Sequence, residues 1–177
     1  MKIEKATVDS LISGFYNGSR DDFDALYRYT REFLYIYALT VVGDSYIADD
    51  AVQDAFIRVY RYINKYRPGT NGLAWLIQIT KNTAINAKNN REKVVIVDET
   101  RQKSPVYDPG TIAEDRLYVD YMLKKLTEGE RQVVMLHLFG ELAVREVAEI
   151  LGVPVTTAEW RYKSALKKLK KAIDSSN

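Results

Sequence analysis

Hydrophobic residues recur at helical spacing along nearly the whole chain. A β-like run of branched residues is confined to positions 94–97. In the first half of the chain the spacing predicts four helices, over about residues 8–16, 19–43, 44–63 and 73–90. Ser19 is expected to cap the second of these helices, and Asp44 or Ser45 the third, because short polar side chains satisfy the first free N–H groups.

The third predicted helix has the most regular pattern in the chain. Its apolar residues lie in pairs four positions apart, which predicts one buried stripe. The members of this stripe are Ile47, Ala48, Ala51, Val52, Ala55, Phe56, Val59, Tyr60 and Ile63. Another face carries Asp49, Asp50, Gln53 and Asp54. Such a carboxylate cluster is compatible with a divalent cation, with a solvated helix face, or with a charged docking surface for a protein partner.

The helical spacing is interrupted in the middle of the chain. Residues 96–115 carry two prolines and a glycine without an apolar period, which indicates a linker. Beyond the linker the pattern predicts helices over about residues 117–126, 127–140, 142–151 and 156–173, with a capping box formed by Thr127 and Glu130. We therefore expect an all-α protein of two small helical domains, residues 1–95 and 116–177.

The last two predicted helices have the spacing of a helix-turn-helix. Gly152 supplies the left-handed turn between them, and the second helix has an inward stripe at Ala158, Tyr162, Ala165, Leu166 and Leu169. An ordinary αα-hairpin has the same pattern, but the basic character of the second helix favours DNA binding. The outward positions of this helix are expected to be Thr157, Trp160, Arg161, Ser164 and Lys168. Thr156 or Thr157 at the helix N-terminus suits a phosphate, and the lysines, Lys163 among them, add sequence-independent attraction.

Composition excludes several classes of function. The 177 residues include no cysteine and one histidine, which rules out a disulfide scaffold, a thiolate nucleophile and any cysteine-ligated metal. The sequence shows neither an apolar leader nor a run long enough to span a bilayer, so we expect a cytoplasmic protein without membrane insertion.

The net charge of +2 argues at first against a nucleic-acid partner. Its distribution changes that reading, because the net charge is +2 over residues 1–95, −3 over the linker and +3 over residues 116–177. Five lysines fall within nine residues of the last predicted helix. The two predicted domains are therefore modestly basic and are joined by an acidic tether.

The fourth predicted helix carries amides along one stripe, at Gln78, Asn82, Asn86, Asn89 and Asn90. Lysine and arginine side chains flank this stripe, and aromatic residues cluster around the preceding loop at 66–72. Amides and cations beside aromatic rings suit single-stranded nucleic acid, whose bases can stack and form hydrogen bonds. The same aromatic residues are equally compatible with helix packing in a core.

Two stretches of the chain resemble a known family. Residues 49–60, with 67–69, 75–79 and Asn82, resemble region 2 of the extracytoplasmic-function (ECF) sigma factors. Residues 126–169 resemble region 4 of the same family. The two matches occur in the expected order with a linker between them, and together they span nearly the whole chain.

The resemblance implies roles for individual residues. The third helix would dock on the clamp coiled coil of the RNA polymerase β′ subunit through Asp49, Asp50, Gln53 and Asp54. The −10 element would be opened and read by Tyr66, Arg67, Asn71, Gln78, Asn82, Asn86, Lys88 and Arg91. The helix-turn-helix would touch the β flap and bind the −35 duplex through Thr156, Thr157, Trp160, Arg161, Lys163, Ser164 and Lys168. Core polymerase, promoter DNA and an anti-sigma protein are the implied partners, with no catalytic residue, metal or cofactor.

The chain departs from the family pattern at both DNA-binding helices. Asn86, Asn89 and Asn90 replace an acid and an arginine pair. The last helix carries Glu159, Trp160 and Ser164 where the family pattern favours Lys, Ser and Arg. We therefore expect an unusual −35 preference or a partner surface there. Two other functions remain as hypotheses, a free-standing helix-turn-helix regulator and a metal-dependent enzyme that uses the three aspartates of the third predicted helix.

Overall fold

The structure is a computed structural model that describes residues 2–95 and 125–174. The chain forms two compact units that divide between Val106 and Tyr107, within the range that is not described. All regular elements in the described ranges are helical, which confirms the all-α prediction. The predicted linker and most of the helix predicted over 117–126 lie outside the described residues, so the exact domain boundaries stay predictions.

Four helices build the first unit. They are α1 (Lys5–Tyr16), α2 (Arg20–Val42), α3 (Ser45–Tyr62) and α4 (Gly72–Val95), with a 3-10 turn at Ile63–Lys65 after α3. The long helices α2, α3 and α4 pack against one another, and α1 covers α2 and α4. Because α4 continues to Val95, the first half of the β-like run is helical; residues 96 and 97 lie outside the described range.

Polar side chains cap the starts of α2 and α3. The Ser19 hydroxyl accepts a hydrogen bond from the Asp22 N–H at 3.2 Å. The Asp44 carboxylate accepts from the N–H groups of Tyr46 and Ile47 at 3.0 and 3.1 Å, so Asp44 rather than Ser45 caps α3. Gly43 ends α2 with a φ of 70°, a left-handed conformation that glycine adopts without strain.

The apolar stripe of α3 is buried along most of its length, as predicted. Ala48, Ala51, Val52, Ala55, Phe56 and Val59 all lie in the core. Tyr60 is an exception, since half of its surface is exposed and its ring packs against Phe15 and Phe23 with centroid distances of 5.7 and 5.3 Å. The prediction that Tyr60 is buried was wrong because the stripe reaches the surface at the end of α3.

The second unit contains three described helices. They are α5 (Glu128–Val134), which continues into a π-helical turn at Met135–Phe139, then α6 (Val144–Leu151) and α7 (Val155–Asp174). The predicted capping box is present at the start of α5, where the Thr127 N–H donates to the Glu130 carboxylate at 2.8 Å. Gly152 joins α6 to α7 with a φ of 70°, which confirms the predicted left-handed turn.

The packing of α7 agrees with its predicted stripe at most positions. Ala158 and Ala165 are fully buried, and Tyr162 and Leu169 pack as half-buried residues against the core. Leu166 is instead 41% exposed, so its predicted burial was wrong. In the described parts of the chain, no helix has the length and apolar composition needed to cross a membrane.

Candidate functional site

The acidic face of α3 is divided by an internal ion pair. Asp49 accepts hydrogen bonds from the Arg31 guanidinium at 3.0 Å and from the Gln53 side-chain amide at 2.8 Å. The hydrogen bond to Asp49 raises the pKa of Arg31. Asp50 and Asp54 are exposed on the same helix, as is Gln53. Asp50 and Asp54 therefore present their charges outward, whereas Asp49 is partly engaged by α2.

An open aromatic hollow lies beside this acidic face. Its walls are formed by Phe23 and Tyr27 of α2 and by Phe56, Ile57 and Tyr60 of α3, with Gln53 and Arg61 at its edge. This hollow was not predicted from the sequence, although the apolar residues that α3 exposes, Ile57 and Tyr60, are a signal for it. Aromatic surface bordered by charged groups is typical of protein–protein interfaces.

The metal-site hypothesis finds no geometric support in the described ranges. No three histidine, cysteine, aspartate or glutamate side chains come together there in a way that could hold a metal ion. The three aspartates of α3 thus do not converge on one point. Of the interpretations left open by the sequence, the charged docking surface agrees best with the exposed acids and the neighbouring hollow.

The loop before α4 is organised by residues that the resemblance assigned to DNA. Tyr66 is only 3% exposed, its hydroxyl donates to the Thr70 carbonyl at 3.1 Å, and its ring packs 5.2 Å from that of Trp75. Burial raises the pKa of the Tyr66 phenol. This packing corrects the expectation that its ring is offered to a base, since Tyr66 supports the loop from inside. Arg67 is exposed at the loop surface.

Two side-chain oxygens, one from a carboxamide and one from a carboxylate, accept hydrogen bonds from N–H groups at the start of α4. The Asn71 side-chain oxygen accepts from the Ala74 N–H at 3.0 Å, and the Asp9 carboxylate of α1 accepts from the Gly72 N–H at 2.7 Å. A Cβ atom on Gly72 would lie 2.8 Å from that carboxylate oxygen. Asn71 is therefore a helix cap, and α1 fixes the loop through a contact that the sequence did not predict.

Replacing Asn71 by alanine is expected to lower the free energy of unfolding of the first unit by about 1 kcal/mol, because the cap of α4 is lost. Denaturant unfolding, compared with that of the wild type, measures the change. Asn90→Ala is a matched control, since Asn90 is exposed on α4 and lies far from the cap. Equal stabilities of the two variants would contradict the capping role.

The amide stripe of α4 is exposed, whereas the cations near its end are held by other helices. Asn82 and Asn86 are exposed, and Gln78 donates to the Asn82 oxygen at 3.2 Å. Lys88 donates to the Val41 carbonyl at 3.2 Å, and Arg91 forms a 2.5 Å ion pair with the Asp44 cap. Lys88 and Arg91 thus bind the end of α2 and the cap of α3, where these two helices meet. To contact DNA, each would have to give up its protein partner.

Helix α7 presents a different face from the one predicted. The most exposed of its large hydrophobic residues is Trp160, at 66%, and the residues exposed along the same stripe are Thr156, Glu159, Lys163 and Lys167. Thr157 and Arg161 are half-buried. Of the five predicted outward positions, the structure exposes Trp160. It also exposes Thr156 and Lys163, which were expected to contact DNA, whereas Glu159 and Lys167 were not predicted.

Ser164 and Lys168 turn toward α5 instead of outward. The Ser164 hydroxyl donates to one Glu130 carboxylate oxygen at 2.6 Å, and the Lys168 ammonium donates to the other at 2.7 Å. Burial by itself would raise the pKa of Glu130, but the hydrogen bonds from Lys168, Ser164 and Thr127 lower it to about 2. This corrects the expectation that Ser164 and Lys168 face DNA. Ser164 and Lys168 are one helical turn apart, so both can bind the same acid on a neighbouring helix. This spacing was the sequence signal for the contact, and it was missed.

Two family profiles match the chain. The profile described as Sigma-70 region 2 matches residues 26–94, and the one described as Sigma-70, region 4 matches residues 116–169. The first match falls in the four-helix unit, and the second extends through the helix-turn-helix of α6 and α7. Together the two matches cover more than half of the chain.

Similar proteins and solved structures agree with these matches. The ECF RNA polymerase sigma factor SigK of Mycobacterium ulcerans (strain Agy99) is 28% identical, over 96% of this chain and 95% of its own length. The ECF RNA polymerase sigma factor SigW of Bacillus subtilis (strain 168) is 24% identical, over 88% and 91%.

The solved structures show the same fold. The sigma factor RpoE from Bartonella quintana, solved with the anti-sigma factor NepR, has a TM-score of 0.71 at 20% identity, over 88% of this chain and 99% of that one. CnrH, solved with the cytosolic domain of CnrY, has a TM-score of 0.66 at 22% identity, over 97% and 99%. With both sigma regions present in order, the chain belongs to the sigma-70 family as an ECF RNA polymerase sigma factor.

Proposed function

We propose that this sigma factor is a dissociable subunit that binds core RNA polymerase and directs it to promoters through a −35 duplex and a melted −10 element. The observation that carries the proposal is the presence of a four-helix region 2 unit and a helix-turn-helix region 4 unit in one chain. Such a subunit works in the cytoplasm with the polymerase, which performs the chemistry, so the chain itself needs no catalytic residue or cofactor.

The proposed polymerase-docking surface is the exposed part of α3. Asp50, Gln53 and Asp54 would bind the clamp coiled coil of β′, with Asp49 held in place by Arg31. The aromatic hollow next to these residues supports the proposal, because interfaces combine buried apolar surface with a polar rim. The second unit would touch the β flap.

The proposed −10 surface is formed by the loop before α4 and by the amide stripe. Arg67, Gln78, Asn82 and Asn86 have exposed or half-exposed side chains that can bind the backbone and base edges of a single strand. Asn71, placed at the start of α4, would set the register of this surface by holding the helix cap. This division separates contact residues from residues that shape the loop.

The proposed −35 surface is the exposed stripe of α7. Thr156 and Thr157 at the start of the helix suit phosphate, because their hydroxyls can donate hydrogen bonds and the N-terminal end of the helix dipole favours an anion. Trp160 and Lys163 lie farther along the outward face, where a recognition helix meets base edges in the major groove. Arg161 is half-buried against Gly129 of α5, so its proposed contact is with the DNA backbone rather than with a base edge.

An anti-sigma protein is the proposed regulatory partner. RpoE of Bartonella quintana, which has the same fold, was solved with the anti-sigma factor NepR, and CnrH was solved with the cytosolic domain of CnrY. A protein that covered the acidic face and hollow of α3 would compete directly with the proposed polymerase contact. The proposal therefore includes inhibition by occlusion of that surface.

The deciding experiment is in vitro transcription with core polymerase and genomic fragments, followed by mapping of the start sites. We expect weak DNA binding by the chain alone and defined start sites once core polymerase is added. Core polymerase without the chain is the control for background initiation. Tight, sequence-specific duplex binding without polymerase would instead identify a free-standing helix-turn-helix regulator and overturn the proposal.

A further inference from the structure

The first turn of α5 contacts one face of the recognition helix α7. A Cβ atom on Gly129 would lie 2.8 Å from the central carbon of the Arg161 guanidinium, so the absence of a side chain at this position makes room for that group. The next residue, Glu130, binds Ser164 and Lys168. Arg161, Ser164 and Lys168 are spaced three and four positions apart, so two consecutive residues of α5 engage one stripe of α7.

The Glu130 carboxylate is the centre of this contact. Glu130 is 1% exposed, and it accepts hydrogen bonds from three donors on two segments: the Thr127 N–H before α5, and the Ser164 hydroxyl and the Lys168 ammonium on α7. A buried carboxylate is strongly disfavoured without such partners. Diverting Lys168 to a DNA phosphate would take a bound cation away from Glu130, so we expect Lys168 to stay with Glu130.

The contact also determines which side of α7 faces outward. With Ser164 and Lys168 directed at α5, the stripe of Thr156, Trp160 and Lys163 lies on the opposite side of the helix from the Ala158 and Ala165 core. A rotation of α7 by one residue position, about 100°, would replace this stripe by another set of side chains. The rotational setting of the helix is therefore part of the DNA specificity.

We propose that Glu130 is a positioning residue for −35 recognition, which fixes the rotation of α7 through Ser164 and Lys168 so that Thr156, Trp160 and Lys163 meet the base edges. This inference rests on the proposed promoter-binding function. It assigns Ser164 and Lys168 to the contact with α5 and gives Glu130 an effect on sequence preference without a contact to DNA.

The test is selection of promoter duplexes by holoenzyme, reconstituted from core polymerase and the full chain. The duplexes are randomised in an upstream block and a downstream block, and the wild type defines the preferred sequence in each. We expect Glu130→Gln to reduce the preference for the selected upstream sequence roughly tenfold while the downstream preference is retained. Glu149→Gln is the matched control, because it removes the same charge from an exposed position on α6.

A second variant separates positioning from direct DNA contact. If Lys168 holds Glu130, Lys168→Met should reduce the upstream preference as Glu130→Gln does, and the double variant should lose little more than either single one. If Lys168 binds a phosphate, Lys168→Met should weaken binding to all sequences alike and lower the salt slope by about 1. The second result would overturn the proposal.

The outcomes also distinguish this inference from the proposed function. A wild-type holoenzyme that selects no upstream sequence would overturn both, whereas wild-type selection that survives intact in Glu130→Gln would overturn only the role of Glu130. Far-UV circular dichroism checks folding of each variant. Should Glu130→Gln fail to fold, Ser164→Ala removes a single donor, and unchanged upstream preference in both Ser164→Ala and Lys168→Met would refute the positioning role.

Discussion

Between pH 5 and pH 2 the second unit is expected to lose about 3 kcal/mol of its free energy of unfolding. The cause is Glu130, whose pKa is about 2 in the folded chain and 4.5 ordinarily. A carboxyl group with a lowered folded pKa stabilises the fold above its unfolded pKa, and this contribution disappears as the pH falls through the folded value. The loss therefore begins near pH 5 and is nearly complete near pH 2.

The two tryptophans allow each unit to be followed separately. Trp75 lies in the first unit and Trp160 in the second, so urea unfolding at a series of pH values can be read from the two indole N–H signals by NMR. We expect Glu130→Gln to be less stable than the wild type at pH 7, and the two proteins to converge near pH 2. If the free energy of unfolding of the second unit changed with pH in the same way in wild type and variant, Glu130 would not be the cause of the loss of stability in acid.

The double substitution Asp50→Ala with Asp54→Ala is expected to weaken binding to core polymerase roughly 10- to 100-fold, or about 1–3 kcal/mol. Both carboxylates are exposed on the proposed docking face of α3, and they would lose their attraction for a basic partner surface. The free energy of unfolding should change little, because exposed charges contribute little to stability. Titration of fluorescently labelled chain with core polymerase measures the affinity.

A control must match the change in charge. Asp21→Ala with Asp24→Ala removes two exposed carboxylates from the start of α2 and leaves the α3 face intact. If binding depends on the α3 face, this control should keep near wild-type affinity at moderate salt. Equal losses in both double variants would indicate a general charge effect and would argue against docking through α3.

Features set by neighbouring residues were predicted well from the sequence. The caps at Ser19, Asp44 and Thr127, the helix end at Gly43 and the left-handed turn at Gly152 each depend on a few adjacent positions. For the same reason the helix boundaries agree with the apolar spacing to within a few residues at most ends. The family assignment was also available, because the region 2 and region 4 patterns are contiguous in the sequence.

Features set by distant residues were not predictable in the same way. The rotation of α7 depends on Glu130, which is 34 positions before Ser164, and the aromatic hollow is formed by rings from α2 and α3. An aromatic residue such as Tyr66 can stack on a base, and only the packing of its ring against Trp75 shows that it is buried instead. Periodicity identifies the polar face of a helix but does not say which part of that face meets another helix.

Lys88, Arg91 and Lys168 each already hold an oxygen of the protein. Protein cations strengthen DNA binding largely by releasing the counterions condensed on phosphates, and a cation that keeps its protein partner releases none. In a plot of the logarithm of the binding constant against the logarithm of the salt concentration, a count of basic side chains predicts a certain slope. Each residue that keeps its protein partner should make the measured slope shallower than that by about 0.9. The affinity for promoter DNA should accordingly decrease less with rising ionic strength than the number of lysines near the end of the chain implies. A larger share of the binding free energy then comes from contacts with the bases.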